Sequence, residues 1–151
     1  MTTTVVALSA DYWSQLGRGV SAIVLYAIVG LVLMVLGFYA IDWSTPGPLR
    51  TMLREGKPNS AVVTASGMVS MALIVVLAIY ASSGKLAEGL IYTLVFGLVG
   101  IAAQVISVRL VELVTGIDIG TVLAEERFTP EVLVVAAAHL ALGLVVAVAI
   151  L

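Results

Sequence analysis

The sequence has no cysteine, one histidine and little charge: seven Lys and Arg stand against nine Asp and Glu in 151 residues. Without thiols there are no disulfides, thiolate metal sites or cysteine nucleophiles. A lone imidazole cannot hold a transition metal without further ligands, so neither a metal nor any other cofactor is expected. A net charge of −2 leaves no basic stripe for a phosphate backbone, and nucleic acid is not an expected partner. Catalytic signatures are missing as well. There is no His-Glu-x-x-His and no Gly-x-Ser-x-Gly, and the Gly56-Lys57 and Gly84-Lys85 pairs lack the upstream Gly and the following Ser or Thr of a phosphate-binding loop. The chain is not expected to be an enzyme.

What fills the sequence is apolar residues, 62% of the total, with a mean hydropathy of +1.20. No water-soluble fold of this length hides so much apolar surface. The expected class is an all-α polytopic membrane protein in one domain, residues 1–151, whose first partner is the lipid bilayer. A helix of about 20 residues crosses a hydrocarbon core about 30 Å thick. Charge-free runs of that length place spans at 19–41, 61–82, 89–108 and 132–151, separated by long loops at 42–60 and 109–131 and a tight turn from Ser82 to Glu88. The first run follows no positive segment and exceeds the 7–15 residues of a signal-peptide core, so it is read as a retained helix. None of the runs alternates apolar and polar residues as barrel strands do.

With four spans, Arg50, Arg54, Lys57, Arg109 and Arg127 share one side, and Arg18 and Lys85 the other. The positive-inside rule then puts the long loops in the cytoplasm and both termini outside, in a bacterial inner membrane. Tyr12, Trp13, Tyr80 and Tyr92 mark the outer interface; Tyr39, Trp43 and Phe128 mark the inner one. The stretch from Thr2 to Gln15 reads either as an interfacial segment or as an extension of the first helix.

Organisation repeats along the chain, suggesting a tandem duplication of a two-helix unit. Each half reads as a span, an Asp (Asp42 or Asp118), a short amphipathic segment (Pro48 to Gly56 or Ile119 to Arg127), then a second span. Asp42, Thr45 and Pro46, followed by Glu55, Gly56, Asn59 and Ala61 leading into a helix rich in small residues, resemble the bacterial membrane family called Domain of Unknown Function 350. Lys57 and Pro58 depart from that pattern by separating Gly56 from Asn59, and the second half carries Thr129, Pro130 and Glu131 where another Asn is expected. The resemblance implies a four-helix inner-membrane protein of unassigned activity, with a role in envelope maintenance or stress.

Polar residues inside or beside the spans are the candidates for function. His139 falls near the middle of the fourth span, where a neutral imidazole is expected to bond to Gln104, Ser66 or Ser70; a proton-relay or ligand role is the alternative. Gln104 is read as a link between helices. Arg109 and Glu112, one turn apart, fit a surface ion pair. Asn59 is a candidate N-cap for the second span. Asp42 and Asp118, at matching places in the two halves, are expected to pair with Arg50, Arg54 or Arg127, or to form a cation site. Small residues recur at helical spacing in Gly30 and Gly37, Ser66 and Ser70, Ala103 and Ser107, Ala137 and Ala141, and Gly143 and Ala147, which are packing seams. The expected function is a non-enzymatic envelope component that forms homo-oligomers or docks to a cytoplasmic or membrane protein partner. The alternative is a small transporter or channel for protons or organic cations.

Overall fold

The structure is a computed structural model that describes residues 11–81 and 85–151. The interfacial reading of the first ten residues lies outside it, as does the turn at 82–84. The described chain forms six helices: α1 (Tyr12–Ser44), α2 (Leu49–Arg54), α3 (Pro58–Ala81), α4 (Leu86–Thr115), α5 (Ile119–Ala124) and α6 (Glu131–Ala149). There is no strand among the described residues. Four helices, α1, α3, α4 and α6, are long and apolar enough to cross a membrane. Only a helix satisfies all its backbone groups within one segment, which is why lipid selects it here despite the many β-branched residues.

The helices overrun the charge-free runs of the sequence. At 33 and 30 residues, α1 and α4 extend about 50 and about 45 Å, well beyond a hydrocarbon core of about 30 Å. Arg18 and Arg109 therefore lie on helix rather than in loops, and Tyr12 to Gln15 belong to α1. Pro58 opens α3, where a missing N–H costs no helical bond. Gly116, at φ +70°, closes α4 by donating its N–H to the Glu112 carbonyl at 2.9 Å.

Packing centres on α3, which touches every other helix, while α1 and α6 each pack against α3 and α4 on opposite sides. Glycines form the holes that receive knobs. A Cβ on Gly97 would lie 2.5 Å from Leu33, and one on Gly67 would lie 2.6 Å from Ile41. Since lipid tails are as apolar as leucine, such close approach, rather than a hydrophobic drive, holds the spans together. One end of the bundle is sealed by the short helices. Leu49 and Met52 of α2 and Ile119 and Leu123 of α5 are buried with Ile41, Val63, Val108, Val132 and Val135 in one cluster.

The tightest approach is α3 on α6. A Cβ on Gly143 would stand 2.9 Å from the Ser70 Cα, so Gly143→Ala must push backbones apart. We expect it to destabilise the bundle by roughly 1–3 kcal/mol in reversible unfolding from mixed micelles. Gly17, which has open space around it, should accept alanine without loss in the same assay.

Candidate functional site

Two polar layers cross the bundle. The first arises from how α5 ends. A helix leaves its last carbonyls without intrahelical donors. At α2 the backbone solves this locally: Gly56, at φ +75°, donates to Leu53 O at 3.1 Å and Lys57 N–H donates to Met52 O at 3.0 Å. No glycine follows α5, and Glu125 turns straight into extended backbone at ψ 139°. The exposed carbonyls are met instead by side chains at the start of α3. Asn59 Nδ2 donates to Val122 O at 2.7 Å, Ser60 Oγ to Leu123 O at 3.0 Å, and Lys57 Nζ to Ala124 O at 2.5 Å.

Asn59 goes further. Its amide nitrogen also lies 3.1 Å from Arg127 O and 3.0 Å from Thr129 Oγ1, and its Oδ1 accepts the Thr129 N–H at 3.1 Å. The side chain is fully buried. The sequence reading of Asn59 as an N-cap is therefore corrected: it is the second residue of α3, and its bonds run to α5 and to the α5–α6 connection, 63–70 positions away. Sequence reasoning also passed over Lys57, Ser60 and Thr129. The signal was present, as polar residues clustered at the mouth of a span and a short helix lacking a closing glycine.

The paired aspartates differ in role, which corrects their expected equivalence. Asp42 lies inside the last turns of α1 and meets Arg50 Nε at 3.4 Å, with the Arg50 guanidinium also 4.1 Å above the Tyr39 ring. Asp118 is the N-cap of α5 and accepts the Thr121 N–H at 3.0 Å. That backbone hydrogen bond, with a further one from the Thr121 side chain, holds the Asp118 carboxyl below the usual carboxylate range. Arg109 pairs with Glu112 at 3.1 Å on an exposed face, a contact worth little in water.

The second layer lies between α3, α4 and α6. His139 and Ser70 are completely buried, and Gln104 and Ser66 nearly so. Ser66 Oγ donates to Val63 O at 2.9 Å and contacts His139 Nδ1 at 3.4 Å. Ser70 Oγ donates to the His139 carbonyl at 2.8 Å, and Gln104 Nε2 bonds both the Ser70 hydroxyl and the His139 carbonyl, the latter at 3.3 Å. Gln104 thus ties three helices. Two acceptor or donor atoms of this layer, Gln104 Oε1 and His139 Nε2, find no partner. Beside the first layer, a cavity of about 470 Å³ is lined by Lys57, Thr121, Ala124, Glu125, Glu126 and Arg127, and an apolar groove of about 350 Å³ runs between α1 and α3 past Gly30 and Val75.

The profile of the Domain of Unknown Function 350 family matches residues 14–150. UPF0719 transmembrane proteins of Mycobacterium bovis and Mycobacterium tuberculosis are each 43% identical over 81 residues, which is 53% of this chain and 53% of theirs. The match thus spans about half the length of those two relatives. A UPF0719 transmembrane protein of Mycolicibacterium paratuberculosis is 31% identical over 134 residues, 88% of this chain and 89% of its own. No solved structure matches significantly.

Two outcomes test the first layer. Asn59→Ala removes four hydrogen bonds and should cost roughly 2–4 kcal/mol, whereas Lys57→Met, at a half-exposed position, should cost under about 1 kcal/mol; unfolding of both variants in micelles measures the difference. For Asp118, the folded carboxyl titrates below its ordinary value of 3.8, so its capping contribution is complete above that pH and is lost as pH falls through the depressed value. Proteolytic susceptibility of the α5 connection should rise on that acid limb, and Asp118→Asn, which can still cap, should flatten the change.

Proposed function

Because this chain belongs to the Domain of Unknown Function 350 family and its relatives are transmembrane proteins, we propose that it acts as a non-enzymatic, multi-pass component of the cell envelope that works by assembling with further copies or with a partner protein. The observation carrying this reading is how the small-residue seams are used. Gly30, Gly37, Ser66, Ser70, Ser107, Gly143 and Ala147 are buried within the chain, whereas Ala137 and Ala141 of α6 are exposed among the described residues. Exposed small residues one turn apart permit close approach of another helix in lipid.

Supporting it, the buried cluster of α2 and α5 covers one end of the bundle, between that surface and His139 among the described residues. The excess of Lys and Arg beside that end supports a reading in which it faces the cytoplasm and both termini lie outside the inner membrane. Arg54, Glu125, Glu126 and Arg127, all exposed there, offer a charged docking face. A transporter or channel for protons or organic cations is the second reading, favoured by the unpartnered His139 Nε2 and Gln104 Oε1 in the membrane interior. It requires a conformation in which the α2–α5 seal opens.

Native mass measurement in lipid particles, with co-purifying chains identified by peptide mass spectrometry, separates these. Assembly predicts a defined oligomer or a stoichiometric companion, and Ala137→Phe with Ala141→Phe should reduce it to single chains while helicity and unfolding midpoint stay within error. A single chain of wild type in every particle, together with proton or cation flux lost in His139→Ala, supports the second reading instead.

A further inference from the structure

The Ser66 hydroxyl has one proton, and it goes to the Val63 carbonyl at 2.9 Å. Its 3.4 Å contact with His139 Nδ1 is therefore a hydrogen bond only if the proton on that line belongs to Nδ1. The Ser66 contact, made from α3, thus calls for a proton on Nδ1. In the neutral imidazole this leaves Nε2 as a bare lone pair, on a residue with no exposed surface and no donor in reach.

Gln104 is fixed by the same reasoning. The Ser70 proton goes to the His139 carbonyl, so the Ser70 oxygen must accept from Gln104, and the His139 carbonyl must accept as well. Both amide hydrogens are used, and Oε1 is turned away from these partners as a second buried acceptor with no donor. Two acceptors cannot satisfy each other. Leaving either unmet in a low-dielectric interior carries the full desolvation penalty of that group. The species that answers them is small, neutral and carries O–H donors, which describes water; a buried water of this kind typically bonds two to four polar groups.

We propose that His139 is held as the neutral imidazole protonated on Nδ1, and that its Nε2 accepts a hydrogen bond from a water molecule bound inside the bundle between α3, α4 and α6. The polar layer is then a hydration site in the membrane interior, and it stands whether or not the chain assembles.

Because His139 is the single histidine of the sequence, histidine labelling reports on it alone. The full chain, purified without a polyhistidine tag, is labelled with ¹⁵N-histidine, reconstituted in phospholipid bilayers at neutral pH and studied by magic-angle-spinning NMR. The expected spectrum has one protonated nitrogen, assigned to Nδ1 through its ring carbons, and one unprotonated nitrogen at Nε2 that receives polarisation from water protons. A proton on Nε2, or on both nitrogens, overturns the tautomer. An unprotonated Nε2 that receives no water polarisation overturns the hydration site.

Discussion

A polar group inside a bilayer has no bulk solvent to turn to, and nearly every polar contact of this chain follows from that. Backbone groups are met by helix formation. Side chains that lie within the hydrocarbon must then find one another, a carbonyl or a water held inside the bundle. α3 supplies most of the means: Asn59 and Ser60 at one end, and Ser66 and Ser70 further along, direct every one of their long-range bonds to the second half of the chain. Remove α3 and neither α5 nor the polar layer around His139 has its partners.

Much of the architecture was legible in the sequence, because hydropathy and helix length are local quantities. The four spans, the two short surface helices and the Arg109–Glu112 pair all rest on residues within a turn or two of each other. The proximity of His139, Gln104, Ser66 and Ser70 was also accessible, since polar residues deep in separate spans have few alternatives to meeting. What the sequence concealed was who meets whom across the long connections. Asn59 sits where an N-cap is expected, yet its amide serves a segment more than 60 residues on. Asp42 and Asp118 look alike in linear order, but one lies inside a long helix beside Arg50 while the other starts a short one. Their difference comes from where α1 and α4 stop. α1 runs on past Asp42 to Ser44, and α4 ends at Thr115 before the Gly116 turn, ahead of Asp118.

The spans also differ in how much of them the chain itself covers. In α3, 44% of the most apolar stretch is buried, against 11% in α1. That gradient makes α3 the structural axis and leaves α1 mostly against lipid, fastened along one seam of Gly30, Leu33, Gly37 and Ile41. Large apolar exposure is unremarkable in hydrocarbon and carries little information about partners. Small residues turned outward, as on α6, carry more.

The staple from α3 to α5 has a consequence for biogenesis. Lys57, Asn59 and Ser60 emerge from the ribosome early, while Val122, Leu123 and Ala124 follow more than 60 residues later. During that interval the amide of Asn59 lacks the partners it has in the folded chain. The first pair of spans is thus an open clasp during synthesis, and the bundle closes only once the second pair has been inserted beside it.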